Sequence, residues 1–236
     1  RHGCRGRLLR RACPGAGRGG RARRGRALGG PEFAGAKELA AYKAKVKAAF
    51  EAEAKDNPKA PDAKVQLMGT GMHVTSGGAA IYWRESDSPT VPFRATATFT
   101  QMKAPSHPEA YGIFLMGSKL EGPEQSYMYF LVRGDGKVMV KHRAGAEVHT
   151  VKDWTENAVV HKQDADGKAT NTLSVVAATD STRMMVNGVQ IAALGADYAK
   201  ANGHVGLRVN HNLDVHIDGF AITGTSGKMT PSKKAT

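Results

Sequence analysis

The stretch QSYMYFLVRGDGKVMVKHR, residues 125–143, places two apolar runs on either side of the turn sequence GDG. Successive side chains of a β-strand point to opposite faces, so every second residue of a run lies on one side. Glycine and aspartate tolerate the positive φ that a tight hairpin turn requires. The stretch therefore predicts a β-hairpin. Its first strand has Met128, Phe130 and Val132 on a core face, and Tyr127, Tyr129, Leu131 and Arg133 on the opposite face.

The same texture continues on both sides of this hairpin, from Val65 to about residue 224. Short apolar runs alternate with polar residues and are separated by Gly, Asn, Asp and Pro, which is the pattern of strands and turns. The NG pair at 187–188 predicts a second tight turn. Many strands with no long helix between them indicate an all-β protein, built as a two-sheet antiparallel sandwich or a barrel. We predict strands at 65–69, 71–75, 79–84, 91–101, 110–117, 125–133, 137–143, 146–151, 170–178, 182–186, 189–193, 204–210 and 213–222.

The chain before residue 65 has a different composition. Residues 1–31 are rich in Arg and Gly and predict a disordered basic arm. Residues 32–55 carry apolar side chains three or four positions apart, which predicts an amphipathic helix. The prolines of 56–64 predict a linker, and the polar residues 225–236 predict a disordered tail.

The net charge of +13 is concentrated in that arm, because residues 1–30 hold ten arginines and no acid and leave +3 for the other residues. One interpretation is RNA binding through the arm. The other is that the arm is a mistranslated signal-peptide region, in which case the protein is exported to the periplasm or secreted. We favour the second interpretation and do not expect nucleic acid as the partner. Both cysteines, Cys4 and Cys13, lie in the arm, so the sandwich has no cysteine metal site or disulfide.

Four segments carry a resemblance to a known family. They are YGIFLMGS (111–118), the hairpin 125–143, NTLSVVAATDSTRMMVNGVQI (171–191) and GHVGLRVNHNLDVHIDGFAI (203–222). Their order resembles the concanavalin A-like jelly roll, closest to the 3-keto-disaccharide hydrolase domains and to laminin G-type sandwiches. The resemblance implies a jelly-roll sandwich over residues 65–224. Two family motifs are missing, the opening LFNGKDLxGW segment and the ExDxxE strand of the glucanases, so it implies little about activity.

The predicted function is binding of a carbohydrate or another small polar ligand. Sandwiches of the resembled group bend one sheet into a concave face, and aromatic rings beside polar side chains suit sugars. The ligand-binding residues that we predict on this face are Tyr127, Tyr129, Arg133, Lys141, Arg143, Arg208, Asn210, Asp214 and His216.

A glycoside hydrolase of the 3-keto-disaccharide type is the alternative function. Its acid/base candidates are His216, Asp214 and Glu109, which lies in a loop with His107 at the rim. Asp214 and Asp218 do not suit glycosidase chemistry, because four residues of strand separate them by about 13 Å, whereas paired glycosidase carboxylates lie about 5–9.5 Å apart.

Metal ligands are harder to assign from the sequence. Asp214 and His216 have the spacing for a shared zinc ion, but an ordinary polar sheet face explains them as well, and we assign no metal ligand and no cofactor. A structural calcium ion could use the loop residues Asp164, Asp166 or Asp135. Of the two tryptophans, we predict Trp83 in the core and Trp154 in a connection, as a packing anchor under a loop.

Overall fold

The computed structural model describes residues 63–69, 71–195 and 202–224. The predicted arm (1–31), the predicted helix (32–55), almost all of the predicted linker and the predicted tail (225–236) lie outside the described residues. Within the described residues there is no helix of the length and apolarity that crossing a membrane requires.

The described chain forms thirteen strands, and they follow the alternating pattern of the sequence. Their bounds are β1 Lys64–Met68, β2 Gly71–Thr75, β3 Ala80–Trp83, β4 Phe93–Gln101, β5 Ala110–Ser118, β6 Ser126–Arg133, β7 Lys137–Ala144, β8 Glu147–Glu156, β9 Ala169–Ala177, β10 Thr182–Val186, β11 Val189–Leu194, β12 His204–Val209 and β13 Asp214–Gly224.

The strands pair antiparallel in two sheets. One has seven strands in the order β1-β2-β13-β4-β9-β10-β11, and the other has six in the order β3-β12-β5-β6-β7-β8. This confirms the predicted all-β, two-sheet antiparallel jelly-roll sandwich. Consecutive strands β12 and β13 belong to different sheets, so the turn between them carries the chain from one sheet to the other.

Both predicted hairpin turns are present. Asn187 and Gly188 both have positive φ, 50° and 83°, between β10 and β11, as a two-residue turn of this hand requires. Gly136, with φ of 92°, closes the turn between β6 and β7.

The main core lies between the sheets. In β4, Phe93, Ala95, Ala97 and Phe99 are buried, and the residues between them are exposed or half-buried. The partner sheet contributes Phe130 and Val132 from β6, which are fully buried in the same core. The core face predicted for the 125–143 hairpin is therefore confirmed. One buried polar residue, Gln101 at the end of β4, donates from Nε2 to Gln163 (2.8 Å) and to the Gly167 carbonyl (2.7 Å).

The six-stranded sheet also buries a group of apolar and aromatic side chains on its other face, and this departs from the sequence interpretation. Tyr127 and Tyr129 are 0% and 5% exposed, and Leu131 is fully buried. Tyr127 and Tyr129 were predicted to line an open ligand face, because alternation assigns a residue to one side of the strand but does not give its exposure to solvent. Trp83, 2% exposed, joins them in a second apolar cluster, so its predicted core position is confirmed.

Strand β8 is longer than predicted. It runs to Glu156, so Trp154 lies in a strand and not in a connection. The prediction was wrong because β8 is an edge strand with mostly exposed residues and two register shifts against β7. Such a strand shows little hydrophobic alternation.

Candidate functional site

The second apolar cluster defines a surface that we call the aromatic face, on the side of the six-stranded sheet away from the main core. Four of its strands contribute aromatic rings. Its members are Ile81, Trp83, Ala110, Phe114, Leu120, Tyr127, Tyr129, Leu131 and Met139, with Trp154 half-buried at its side.

Arg208 of β12 lies across this face. Its Nη1 donates to the Tyr127 hydroxyl at 2.7 Å, and Nε donates to the Asn210 side-chain oxygen at 3.2 Å. Its guanidinium carbon lies 4.7 Å from the centre of the Tyr129 ring and 5.9 Å from that of Tyr127. Only 7% of Arg208 is exposed. A buried guanidinium in this position combines charged hydrogen bonds with cation–π contacts and is fixed in one orientation.

A second arginine lies at the more open end of the same face. Arg133 ends β6, and its guanidinium carbon is 4.5 Å from the centre of the Trp154 ring. Nε donates to Asp135 Oδ1 at 3.0 Å, and Nη2 donates to Oδ2 of the same carboxylate. This fork leaves Nη1 without a partner within the described residues. Arg133 is 17% exposed, so its guanidinium can be reached from solvent.

The electrostatics of this end follow from that ion pair. The hydrogen bond from Arg133 holds the pKa of Asp135 below its ordinary value, and the field of the guanidinium lowers it further. The hydrogen bond to Asp135 in turn raises the pKa of Arg133. Arg133 therefore keeps its charge, and Asp135 fixes its orientation.

Two further cations lie on the neighbouring strand. In the register of β6 and β7, Tyr129 is opposite Lys141 and Tyr127 is opposite Arg143. Both cations are half-buried. The face therefore carries positive charge from Arg133 to Arg143, beside the buried tyrosines.

The predicted ligand-binding residues are not on one surface. Tyr127, Tyr129, Arg133, Lys141, Arg143, Arg208 and Asn210 belong to the six-stranded sheet or to the residue that follows β12. Asp214 and His216 lie on β13, in the seven-stranded sheet. The expectation that the nine share one concave sheet was wrong, because the turn after β12 passes the chain to the opposite sheet.

Asp214 and His216 have their own partners on the outer face of the seven-stranded sheet. Asp214 Oδ1 is 2.8 Å from His73 Nε2, and Oδ2 is 3.1 Å from Lys103 Nζ. His216 Nε2 is 3.0 Å from Asp218 Oδ2. The third acid/base candidate, Glu109, contacts neither residue. The three candidates do not form one catalytic group, and the hydrolase alternative stays a prediction.

Glu109 lies between two histidines instead. It is nearly buried at the start of β5, with its Oε1 2.9 Å from His107 Nδ1 and 2.7 Å from His211 Nε2. From the sequence we predicted Glu109 and His107 at a rim, without a connection to His211. Both segments directly flank strands with strong alternation, so the two strands themselves could be predicted. The pairing of those strands, which brings His107 and His211 together, could not be predicted from local patterns.

The loop carboxylates considered for calcium have other contacts. Asp164 Oδ1 accepts hydrogen bonds from the backbone N–H groups of Asp166 and Lys168, at 3.0 and 2.9 Å, and so closes its own loop. The carboxylate of Asp135 is paired with Arg133. Within the described part of the chain, neither Asp164 nor Asp135 belongs to a group of three carboxylates or histidines whose donor atoms lie close enough to share a metal ion.

A cavity of about 540 Å³ lies at the opposite end of the aromatic face, beside Trp83 and His204. Its charged groups pair largely among themselves. Lys119 is 2.9 Å from Glu124, and His204 is 3.7 Å from Glu85. This self-pairing makes the cavity a weaker candidate than the Arg133 end.

Two structures from Bacillus subtilis are among the solved structures that resemble this one. The chain is similar to the carbohydrate binding module CBM66 from Bacillus subtilis, with a TM-score of 0.53 and 12% identity over 68% of this chain and 91% of that chain. It is also similar to a Bacillus subtilis protein of unknown function with a galectin-like fold, with a TM-score of 0.52 and 12% identity over 68% of this chain and 85% of that chain. At such identities the likeness shows the fold alone. No protein-family model and no curated protein sequence matches the chain.

Proposed function

We propose that this protein binds carbohydrate at the Arg133 end of the aromatic face. The observation that carries the proposal is the Arg133–Trp154 pair, in which a guanidinium lies 4.5 Å from the centre of an indole ring and is oriented by Asp135. Sugars bind where apolar ring surface and directional donors occur together. The pair offers both, on residues that belong to paired strands.

Burial decides which part of the face takes the ligand. Tyr127, Tyr129 and Arg208 are nearly inaccessible, so they act as a rigid support beneath the site and not as its contact surface. Half-buried Trp154, Arg133 and Asn210 can contact a ligand without rearrangement of the core. A site whose side chains are already fixed loses little entropy on binding.

The charge of the face favours an acidic sugar. Lys141 and Arg143 follow Arg133 along the same face, so their summed positive charge attracts a sugar carboxylate. The fork of Arg133 is paired with Asp135, and its Nη1 remains to donate a hydrogen bond to that carboxylate. We therefore expect oligosaccharides of uronic acids to bind more tightly than neutral ones. The fold of a carbohydrate binding module from Bacillus subtilis supports the proposal at the level of architecture. Export from the cell, expected from the composition of the arm, fits a glycan ligand and is part of the same proposal.

Calorimetric titration of the full chain with uronate and with neutral oligosaccharides tests the proposal. Trp154→Ala and Arg133→Ala each remove a contact with a net value of about 1.5–3 kcal/mol, which corresponds to roughly tenfold to a hundredfold weaker binding. His216→Ala is the matched control, because it changes a half-buried polar residue of the other sheet and leaves the aromatic face intact. Failure of both ligand classes to bind, or equal binding by parent and both aromatic-face variants, would contradict the proposal.

A further inference from the structure

His107, Glu109 and His211 form a cluster that the carbohydrate proposal does not use. We call it the His–Glu cluster. Two of its residues precede β5 and the third follows β12. These strands pair, with Tyr111 opposite Val209, and the N–H of Asn210 donates to the Ala110 carbonyl at 2.9 Å. The two segments therefore leave the sheet side by side.

The donor atoms of the cluster converge on one point. Glu109 Oε1 lies 2.9 Å from His107 Nδ1 and 2.7 Å from His211 Nε2, and all three donor atoms lie within 4.8 Å of one another. The two imidazole rings have their centres 5.1 Å apart and are tilted by 56°. Each residue thus offers a different donor atom to the same small volume.

We propose that the His–Glu cluster binds one divalent transition-metal ion of the zinc class. Two imidazoles and one carboxylate form a ligand set that zinc uses when it keeps a fourth position for water or substrate. With metal–ligand bonds of about 2.0–2.1 Å, the donor atoms of a tetrahedral site are about 3.3 Å apart. The two pairs that Glu109 forms with His107 and His211, at 2.9 and 2.7 Å, need to separate by only about half an ångström to admit the ion.

The surroundings of the cluster suit such a site. Glu109 is 8% exposed, which fixes the carboxylate, whereas His107 and His211 are 49% and 37% exposed and leave a path for the ion. Within the described residues, neither a lysine nor an arginine forms an ion pair with Glu109. Arg133 is paired with Asp135, and the hydrogen bond to Asp135 is the largest cause of its raised pKa, with the charge of Glu109 a smaller one.

His107 also has an outer contact of the kind that orients metal-binding histidines. The side-chain amide nitrogen of Asn212 lies 3.0 Å from His107 Nε2. When Nδ1 binds a metal, the neutral ring carries its proton on Nε2, and rotation of the Asn212 amide lets its oxygen accept a hydrogen bond from that N–H group. Asn212 can therefore form a hydrogen bond with the His107 ring both in the metal-free protein and when Nδ1 binds a metal.

Titration of the metal-free full chain with Zn²⁺, and with Co²⁺ as a visible-absorption probe, tests this proposal. Cys4 and Cys13 are replaced by serine in every sample, since thiolates also bind zinc. We expect one ion per chain, with affinity lowered by at least about tenfold in His107→Ala, His211→Ala and Glu109→Gln. His149→Ala and His216→Ala are the controls, because each removes a histidine that lies near another histidine elsewhere on the sheets.

His107→Ala is the decisive variant, since its half-exposed side chain can be removed without loss of the core. Thermal unfolding recorded by circular dichroism confirms that each variant is folded. Absence of binding at one ion per chain, unchanged affinity in folded His107→Ala, or loss of the ion in His149→Ala or His216→Ala would overturn the proposal. Saccharide binding is measured separately on the metal-free protein, so failure of one proposal does not decide the other.

Discussion

The two sheets of this sandwich present different surfaces away from the core they share. The seven-stranded sheet presents what we call the threonine face, on which hydroxyls pair across β4 and β9. The pairs are Thr96 with Ser174 at 2.8 Å, Thr98 with Thr172 at 2.9 Å and Thr100 with Thr170 at 3.0 Å. The six-stranded sheet presents the aromatic face, where arginines lie against tyrosine and tryptophan rings. Both faces alternate in sequence, but hydroxyl pairs line the first across β4 and β9, whereas aromatic rings line the second.

The polar groups of the threonine face stabilise their sheet, whereas those of the aromatic face belong to the binding site that we propose. On the threonine face each hydroxyl has its partner on the next strand, so the polar groups stabilise the sheet and are satisfied without a ligand. On the aromatic face arginines are held against aromatic rings, and Arg133 at one end of the face is accessible to solvent. Directional donors beside apolar surface are what a binding site needs. The carbohydrate site that we propose therefore lies on the six-stranded sheet.

The largest expected difference between the two faces follows from replacing one arginine on each. Arg208→Ala removes a buried side chain and leaves the Tyr127 hydroxyl without this donor, so we expect a loss of about 2–4 kcal/mol in the free energy of unfolding. Arg94→Ala on the threonine face removes an exposed arginine that donates to Ser174 at 3.2 Å, and we expect a change below about 0.5 kcal/mol. Urea denaturation of the full chain measures both. Equal losses in the free energy of unfolding would contradict the view that the buried arginine of the aromatic face stabilises the fold more than the exposed arginine of the threonine face.

A smaller effect concerns the ion pair at the open end of the aromatic face. The pKa of Asp135 is lowered in the folded protein by its hydrogen bond with Arg133. A carboxylate with a lowered folded pKa stabilises the protein above its ordinary pKa and loses that contribution as the pH falls through the folded value. Asp135→Asn should therefore cost less than about 1 kcal/mol at neutral pH, because the pair is partly exposed. The difference in the free energy of unfolding between parent and Asp135→Asn should disappear in acid.

Urea denaturation of parent and Asp135→Asn at neutral pH and across the acidic range measures this contribution. Thr98→Val on the threonine face serves as the control, since it carries no titratable group. A gap between parent and Asp135→Asn that widens toward acid pH would contradict the assigned role of the ion pair.

The sequence predicted the strands and turns well because they depend on neighbouring residues. Alternation defined β4 and β6, and Asn187–Gly188 marked a hairpin by its tolerance of positive φ. Exposure was not predictable in the same way. Tyr127 and Tyr129 alternate with core residues as solvent-facing tyrosines would, but they are buried in a second apolar cluster.

The candidate site could be predicted only in part, because it depends on which strands pair. The residues from Arg208 to His216 are continuous in sequence, yet the turn after β12 separates them between two sheets. The reverse holds for His107 and His211, which are distant in sequence and meet because β5 pairs with β12. Local patterns contain neither result, since both follow from long-range strand pairing.

The most direct test of the carbohydrate proposal uses the two tryptophans of the chain, because each gives one indole N–H signal in a two-dimensional ¹⁵N–¹H NMR spectrum. Trp154 lies half-buried beside Arg133, whereas Trp83 is 2% exposed on β3 of the same face. Titration with a uronate oligosaccharide should shift the Trp154 signal progressively and leave that of Trp83 nearly unchanged, with no response of Trp154 in the folded Arg133→Ala variant at the same concentrations. A saccharide that binds without moving the Trp154 signal, or that moves Trp83 instead, would contradict the placement of the site.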